Sequence, residues 1–481
     1  MIIAIFNPKL SLAKQSKING LKMNVIDRCW RLNPEWRRHR SQLATCSVGY
    51  AGKMTNNIDK DLIYYKVTDI SDNPINPKPG TLRYGASMVQ GNVWITFERD
   101  MNIKLEKPLL ISSFTTIDGR GVNVHIADNA CLMIFKATNV IIHGIRVHQC
   151  KPQAPGIVMG PEGKVIPLGH VDGDAIRLVT ASNIWIDHNT LYDCQDGLVD
   201  VTRGSTNVTI SNNWFKNQDK VMLLGHDDGY VRDKNMKVTV VYNHFGPNCN
   251  QRMPRIRHGY AHVANNFYQG WVQYAIGGSM GPSLKSEANI FIAPIIGSKK
   301  VTWRKDSQKN EDKWEFHSVN DAFENGALFE ITKGGRVPKP NYNKEQSFEV
   351  VDVKFVRSLT RSSGRKVPKE IPKKPKKNSD HARSSIQVRE SEKPHSGIGI
   401  ACRIEGLSPN PIGSVGEEVL NPIGLNWGFN EQSSVVDGCI PPKRVRHILT
   451  PLSFFVVLLL YYDGGDDLLK EEYQDEGDGT L

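Results

Sequence analysis

Short runs of β-branched and other apolar residues dominate the chain from about Asn24 to Pro294. Gly, Asn and Asp separate these runs, and the apolar positions there do not recur with the 3.6-residue period of a helix. The exception is a short helix that the pattern predicts near Trp36 to Ala44. The sequence therefore predicts many short β-strands joined by tight turns.

Five asparagines take the same place in successive strand-like repeats, each before a bulky apolar pair. They are Asn189, Asn213, Asn243, Asn266 and Asn289, and their spacings are 24, 30, 23 and 23 residues. A repeat in the twenties indicates a solenoid, in which each coil buries its apolar face only by stacking on its neighbours. The Leu-x-x-Leu-x-Leu pattern of leucine-rich repeats is absent. We therefore predict an all-β, single-stranded parallel β-helix with a hydrogen-bonded asparagine ladder, although asparagine also marks ordinary turns.

Composition and charge limit the other classes. Hydrophobic residues make up 39% of the 481, which suffices for a sizeable core. The 61 basic and 50 acidic residues leave a net charge of +11, most of it near the ends. The lysine run Lys373–Lys377 raises nucleic-acid binding as an alternative, but it lacks interleaved aromatic residues and an acidic tail follows it. We therefore expect no nucleic-acid partner.

Composition also divides the chain into four segments. Residues 1–23 are an unpatterned N-terminal extension, and residues 24–365 are the solenoid with a C-terminal cap. Residues 366–394, rich in Lys, Pro and Ser, predict a disordered linker. Residues 395–481 have no assigned fold and end in acidic residues. Their nine-residue apolar run, Phe454–Tyr462, is far shorter than the roughly 20 residues of a membrane helix, so no membrane span is predicted.

Four carboxylates gather at two places about one coil apart. Asp172 and Asp174 lie in HVDGDAIRL, and Asp196 and Asp200 lie in CQDGLVD. Stacked coils bring the two places together, and converging carboxylates repel unless a cation neutralises them. Oxygen ligands of this kind favour Ca²⁺. Asp-Gly pairs are also ordinary turns, and the spacing alone does not decide between the two interpretations.

Basic residues follow on the next two coils. Lys220 comes one coil after Asp196, and QRMPRIRHG carries Arg252, Arg255 and Arg257 one coil further on. Arginine recognises carboxylates with two parallel hydrogen bonds, so the pattern suits a polyanion with one carboxylate per unit. A solvated basic turn is the alternative, and the shared register with the aspartates argues against it.

Long motifs in this order carry a family resemblance. TIDGRG, DGDAI, WIDHNTL, DGLVDVTRG, DKVMLLGHDD and QRMPRIRHG resemble the plant pectate lyases, and the likeness runs from about Asn24 to Pro294 and more loosely to Gly364. That family, which includes related pollen allergens, implies a right-handed parallel β-helix. It also implies calcium-dependent β-elimination on de-esterified α-1,4-linked polygalacturonate. The resemblance further implies a secreted protein that acts as a monomer in the cell wall.

The resemblance assigns roles residue by residue. Asp174, Asp196 and Asp200 are implied as calcium ligands, with Asp172 beside them. Arg252 is implied as the catalytic residue that takes the C5 proton, and Lys220 and Arg257 as substrate-binding residues. A guanidinium stays protonated at ordinary pH, so this role needs the like-charge repulsion of the neighbouring cations. The resemblance also implies two disulfides, and these join Cys29 to Cys46 and Cys131 to Cys150.

The sequence departs from the family at three places. Asn217 and Gln218 stand where the family commonly has histidines before the Asp-Lys pair, residues 395–481 have no recognised counterpart, and no secretion signal is visible. The competing interpretation is a catalytically weak, pectin-binding or allergen-like β-helix relative. The loss of Arg252 or of a calcium aspartate would mark such a relative, and neither is lost.

Overall fold

Each complete coil of the described chain adds one strand to each of three parallel sheets. The computed structural model describes residues 22–305, 315–331 and 336–364. Within them the strands follow the order sheet A, sheet B, sheet C and back to sheet A, so that neighbours in a sheet come from successive coils. The predicted parallel β-helix is confirmed. The predictions for the N-terminal extension up to residue 21, the basic linker, the apolar run and the acidic tail lie outside the described residues.

The three sheets have the following bounds. Sheet A contains Ile63–Val67, Val93–Phe97, Thr115–Asp118, Thr138–His143, Ser182–Asp187, Thr206–Ser211, Lys237–Val241, Tyr260–Ala264, Ser283–Glu287 and Glu315–Val319. Sheet B contains Met101–Ile103, Val124–Ala127, Arg146–His148, Thr190–Tyr192, Trp214–Lys216, His244–Phe245, Phe267–Gln269, Ile290–Ile292 and Ala322–Glu324. Sheet C contains Leu109–Leu110, Leu132–Phe135, Ile176–Val179, Val199–Thr202, Met222–Leu224, Arg255–Arg257, Ile276–Ser279 and Thr302–Arg304.

Two smaller strand pairs and several helical turns complete the described fold. An antiparallel hairpin joins Gly156–Met159 to Val165–Leu168, and a parallel pair joins Gln218–Lys220 to Cys249–Gln251. The α-helices are Val25–Arg31 and Val356–Leu359, and a π-helical turn covers Tyr84–Met88. The 3₁₀ turns are Arg40–Thr45, Gly49–Ala51, Thr55–Ile58, Pro161–Gly163, Val231–Asn235 and Val353–Phe355.

The helix predicted near Trp36 to Ala44 is wrong in place and type. The α-helix comes earlier, at Val25–Arg31, where Asn24 caps it by accepting a 2.9 Å hydrogen bond from the backbone N–H of Asp27. Only the later half of the predicted stretch is helical, as the 3₁₀ turn Arg40–Thr45. Asn24 is a residue type that favours the N-cap position, but the helix that follows it has only seven residues, too few to show a clear helical period.

The interior of the coil is apolar throughout, because the strands of all three sheets point alternate side chains inward. Under sheet B these residues include a stack of rings, one per coil. Adjacent ring centroids along Phe215, Phe245, Tyr268 and Phe291 are 5.0, 4.6 and 4.4 Å apart. Such stacking requires each coil to keep the register of the one before it.

The predicted asparagine ladder is confirmed at the corner between sheets A and B. Each amide nitrogen donates to the next asparagine's Oδ1, at 3.1 Å from Asn189 to Asn213 and 3.0 Å from Asn266 to Asn289. The same nitrogen also donates to a strand carbonyl of the coil before, as Asn213 does to Ile186 at 2.9 Å. All five asparagines are fully buried, so the ladder gives hydrogen-bond partners to polar groups that would otherwise be buried without them.

An aspartate that the sequence analysis missed ends this ladder. Asp321 accepts hydrogen bonds from the backbone N–H of Asn289 at 2.7 Å and from its amide nitrogen at 3.1 Å. Its other oxygen accepts from the Ser318 hydroxyl at 2.7 Å. Burial raises the pKa of Asp321 to about 6, and the hydrogen bonds only partly offset that rise.

Both ends of the described chain return to cover the outer face of sheet A. Trp30 and Leu43 from the N-terminal side and Val351 and Leu359 from the C-terminal side pack with outward residues of the sheet, including Trp185. Asn265 fastens the C-terminal segment, since its amide donates to the Val351 carbonyl at 2.7 Å. This layer shields the flank of sheet A from water.

The large apolar residues in the segment expected to form the C-terminal cap fall into three groups. Phe348 and Val350 pack into the layer on sheet A, on the side of the solenoid and not across its end. Phe329 packs partly against the interior core. Phe323 and Leu328, by contrast, are 41% and 56% exposed. The side-on packing follows from the sheet's long outward apolar row, which offers more area to cover than the final coil does.

A buried ionic cluster fixes the N-terminal helix to sheet A. His188 lies between two carboxylates, 2.6 Å from Asp187 and 3.0 Å from Asp27 of the helix. Burial opposes its charge, but these two neighbours raise the pKa of His188 to about 9. The cluster is therefore charged and paired, as a buried ion must be.

Two disulfides also secure the N-terminal half. Cys29 is bonded to Cys46 and Cys131 to Cys150, the two pairings that the resemblance implied. Cys194 and Cys249 are free thiols among the described residues. Across the same residues, we find no helix with the length and apolarity needed to cross a membrane.

The end of the ladder generates a pH-dependent prediction. Because the folded pKa of Asp321 is raised, its favourable contribution is complete below about pH 4 and is lost as the pH rises through about 6. Asp321→Asn supplies the amide that the other coils use, so it should raise the free energy of unfolding at pH 7 by about 1–3 kcal/mol. Thermal unfolding at pH 4 and 7 measures this, and the gain should vanish at pH 4. An equal gain in the free energy of unfolding at both pH values, or a loss at pH 7, would contradict the prediction. The substitution Asp61→Asn, at an exposed position, is the control.

Candidate functional site

The candidate site lies on the outward face of sheet C and on the corner that leads into it from sheet B. Strand pairing places Arg177 beside Asp200, Asp200 beside Leu223, and Leu223 beside Arg255. Their chain neighbours Val199, Val201 and Met222 point into the core, so this row faces outward. Register across four coils thus brings acidic and basic side chains from distant sequence positions together.

The predicted aspartates converge as the spacing indicated. Asp172, Asp174 and Asp196 each present a carboxylate oxygen, and these oxygens lie within 4.8 Å of one another. Asp200 is buried next to them, and its charge interacts with those of Asp174 and Asp196. The four carboxylates therefore form one acidic group, in which Asp172 has the exposed side chain, at 48%.

The inner two carboxylates lack sufficient compensation. Burial, followed by the charges of Asp172 and Asp196, raises the pKa of Asp174 to about 7, although Arg177 opposes the rise. Burial and the neighbouring Asp174 and Asp196 likewise hold the pKa of Asp200 well above its usual value. Such a group favours either protons or a cation.

The geometry of the acidic group fits a hard cation. Asp174 Oδ1 accepts a 2.8 Å hydrogen bond from the Gly197 N–H, but its Oδ2 is buried and accepts no hydrogen bond from any described residue. Gly197 also leaves needed space, because a Cβ there would lie 2.3 Å from Asp200 Oδ1 and 2.8 Å from Asp174 Oδ1. Carboxylate oxygens in this number are ligands that Ca²⁺ takes in proteins.

Arg177 is a member of the site that the sequence analysis missed. Its guanidinium forms an ion pair with Asp172 and lies 3.7 Å from Asp174 Oδ2. Burial opposes its charge, yet these carboxylates hold the pKa of Arg177 above its ordinary value. The sequence signal that could have identified Arg177 is its outward position on the strand Ile176–Val179, which starts two residues after Asp174.

Gln218 is a second residue without an assigned role in the sequence analysis. Its Oε1 accepts from the backbone N–H of Cys194 at 2.9 Å, and its nitrogen donates to the Cys194 and Asp196 carbonyls. The side chain is buried. Gln218 therefore fixes the corner that carries Asp196, in the place where the resemblance led us to expect a histidine.

Two of the predicted basic residues reach different partners. Lys220 Nζ lies 2.8 Å from Asp196 Oδ1, and its side chain is 38% exposed, so it borders both the acidic group and solvent. Arg257 is instead turned to the neighbouring loop. It donates to the His226 carbonyl at 2.7 Å and lies 3.2 Å from Asp228. Arg257 thus contacts none of the four aspartates directly.

Arg252 sits at an irregular point of the backbone. Lys220 pairs with Gln251 and Leu223 with Arg255, so this coil holds one residue more than the coil before it. Arg252 has a φ of 61°, the left-handed region that L-residues rarely adopt. Extra residues of this kind redirect side chains and recur next to active sites. Its Nε is buried and makes no hydrogen bond within the described chain, and its charge acts on Asp200.

Comparisons with known proteins agree on one family. A family model described as pectate lyase matches residues 43–363, which hold all the candidate site residues. The chain is 47% identical over 347 residues to Pectate lyase 1 of Juniperus virginiana, covering 71% of this chain and 93% of that protein. It is also 47% identical over 342 residues to Putative pectate lyase 17 of Arabidopsis thaliana, covering 71% and 86%.

A solved structure extends this agreement from sequence to fold. The crystal structure of jun a 1, the major allergen from cedar pollen, is 46% identical to this chain and superposes with a TM-score of 0.68. The alignment covers 71% of this chain and 99% of that one. The family model and these relatives each cover about two thirds or more of the chain, and the chain belongs to the pectate lyase family.

Proposed function

We propose that the protein is a calcium-dependent pectate lyase that cleaves de-esterified α-1,4-linked polygalacturonate by β-elimination. The observation that carries the proposal is the under-compensated acidic group, whose buried Asp174 Oδ2 accepts no hydrogen bond from the described residues, next to Lys220 and Arg252. Membership of the family and the names of its relatives support the same reaction.

Asp172, Asp174, Asp196 and Asp200 would hold the calcium ion in this proposal. When bound, calcium would supply the positive charge that draws a uronate carboxylate to the acidic group and makes the proton at C5 easier to remove. Gly197 keeps the space between Asp174 and Asp200 open. Arg177 compensates part of the negative charge of the acidic group and thereby opposes the rise in the pKa of Asp174.

Arg252 would remove the C5 proton. The electron pair of the C5–H bond then forms the C4–C5 double bond, and the C4–O bond breaks so that its electrons leave with the oxygen. The leaving oxygen takes up a proton from solvent water, and the new end of the chain carries an unsaturated sugar. A guanidinium accepts a proton only after losing one, so this step requires Arg252 in its neutral form.

Lys220 and Arg257 would bind substrate carboxylates. Lys220 lies between Asp196 and solvent. From there its ammonium group would contact a uronate carboxylate that approaches the acidic group, and would withdraw electron density from that carboxylate. Arg257 shares its guanidinium with the His226 carbonyl and Asp228. That contact would orient its remaining N–H groups, because the planar guanidinium carries five of them.

The setting and the extent of the active unit are part of the proposal. The two disulfides suit an oxidising compartment, which supports a secreted, cell-wall location. We place all chemistry in the segment 24–365 and expect a monomer, because one solenoid holds every assigned residue.

A pectin-binding relative with little turnover is the alternative, favoured by the likeness to an allergen structure. The formation of unsaturated product separates the two, since it absorbs in the ultraviolet and mere binding does not produce it.

The calcium assignment predicts the effect of removing one ligand. Asp196→Ala should raise the calcium concentration for half-maximal turnover roughly 10–100-fold or abolish turnover, because a charged ligand and the partner of Lys220 are lost together. Ultraviolet absorbance of polygalacturonate digests across a calcium titration measures this, with the exposed Asp61→Ala as the control. Full activity of the unaltered chain in excess chelator would refute the assignment.

The role of Arg252 predicts a separation of turnover from binding. Arg252→Lys should lower kcat by about 100-fold or more, while polygalacturonate affinity changes little because Lys220 and Arg257 still bind carboxylates. Kinetics combined with calorimetric binding tests this. Equal losses in both would make Arg252 a substrate-binding residue and leave the base unidentified.

The extent of the active unit predicts the effect of truncation. A chain that ends at Arg365 should keep its calcium-dependent turnover, because all assigned residues lie between Asp172 and Arg257. A chain that ends at Pro294 should aggregate or lose stability, since it lacks the segment that covers sheet A. Thermal unfolding and turnover of both chains test this, and a folded but inactive Arg365 truncation would disprove it.

A further inference from the structure

Arg255 is a buried cation without a counter-ion in the described part of the chain. Only 9% of its surface is exposed, and its Nε is buried without a hydrogen-bond partner. No described residue forms an ion pair with it. Burial, and then the charges of Arg257 and Arg252, lower the pKa of Arg255. An unpaired buried charge is costly, so its retention calls for an explanation.

Other buried arginines of this protein show how a structural one is satisfied. Arg83, which is fully buried, pairs with both oxygens of Asp72 at 2.6 and 2.7 Å and donates to two backbone carbonyls. Arg120 makes a similar two-point contact with Asp118, at 2.8 Å to each oxygen. Arg255 has neither kind of partner, and so it differs from the arginines that hold the fold together.

Two aromatic rings lie beside Arg255 on the outward face of sheet C. Its guanidinium carbon is 5.6 Å from the centre of the Trp303 ring, which stacks on Tyr274 at 5.2 Å and 13°. Gly277 makes room for this arrangement, since a Cβ there would lie 2.6 Å from the Tyr274 ring. The Tyr274 hydroxyl is buried close to Arg252 and Arg255, and burial raises its pKa while the charges of these two arginines oppose the rise.

The position of this group continues the row of the acidic site. Arg255 stands two coils from Asp200, and Trp303 stands two coils further on. Coils are about 4.8 Å apart, which is on the order of the length of one sugar unit. At the other end of sheet C, the hairpin Gly156–Leu168 packs on Met133 and Val179 and covers the outward face. A bound chain can therefore extend from the acidic group towards Arg255.

We propose that Arg255, Tyr274 and Trp303 form an additional substrate subsite. In it, Arg255 binds the carboxylate of another galacturonate unit, about two sugar positions from the unit at the acidic group. The proposal rests on the proposed function and adds a binding position to it. Trp303 packs against the apolar face of a sugar ring, and Arg255 donates two parallel hydrogen bonds to the carboxylate, as its planar fork allows. The Tyr274 hydroxyl supplies a further donor. The carboxylate then provides the counter-charge that Arg255 lacks.

Binding of hexagalacturonate and digalacturonate tests the subsite directly. Calorimetry in calcium-containing buffer uses the full chain with Arg252→Lys, so that neither ligand is consumed. Adding Arg255→Met should weaken hexagalacturonate binding roughly tenfold or more, because a charge-assisted contact is lost. Digalacturonate should lose much less, because a chain of two units that is bound at the acidic group ends about one coil short of Arg255. Trp303→Ala should discriminate in the same direction, and Arg255→Lys should fall between.

Controls separate this proposal from the proposed function and from misfolding. Arg99→Met removes an exposed, distant positive charge and should leave both affinities unchanged. In chains that retain Arg252, Arg255→Met should also shift which bond of hexagalacturonate is cleaved, which a purely structural role would not do. If both ligands lose equally, or neither does, the subsite is wrong even if the unaltered chain is a lyase. Should Arg255→Met fail to fold by circular dichroism, Trp303→Ala and Arg255→Lys decide the question.

Discussion

The hydrogen bond from one buried asparagine to the next is the interaction on which the rest of this structure depends. Each amide joins the coil before to the coil after, so the ladder from Asn189 to Asn289 fixes the register of the coils that carry the site. The interior ring stack and the outward row on sheet C both require that register. A slip of one residue would turn the aspartates inward and the core outward.

The site follows from this register together with an imbalance of charge. Stacking places carboxylates of two coils within 4.8 Å, and burial of Asp174 and Asp200 makes their repulsion costly. The cations of the following coils lie close but compensate it incompletely, since Lys220 reaches only Asp196 and Arg257 is held by the loop at Asp228. What remains is an acidic group suited to a divalent cation next to arginines suited to carboxylates. A polyanion bridged to the protein by calcium fits both.

The two flanks of the solenoid serve different purposes. Sheet A is covered by the two ends of the described chain and by the ionic cluster around His188, which binds the first helix to the coils. Sheet C is left accessible beyond the hairpin, where its outward row carries charged and aromatic side chains. The covering layer therefore lies on sheet A, while within the described residues the row on sheet C offers a surface for a long ligand.

The sequence by itself determined the features that repeat. The strand-like runs and the asparagine spacing gave the solenoid and its ladder, and the Asp-Gly pairs one coil apart gave the convergence of the carboxylates. Asp321 escaped notice because it continues the ladder with a different residue after a 32-residue coil. The longer motifs added the family and the disulfide pairs.

Only the tertiary structure decided the contacts that depend on irregular lengths. The additional residue at Arg252, the ion pair of Arg177 with Asp172 and the hold of Gln218 on the Asp196 corner all join different coils or bend the backbone locally. Trp303 lies some fifty residues from Arg255 in sequence and only two coils away in space. Periodicity fixes which face a side chain takes, because strands alternate. Which residues become the neighbours of a side chain depends on how many residues each intervening turn uses. That number is visible only in the folded chain.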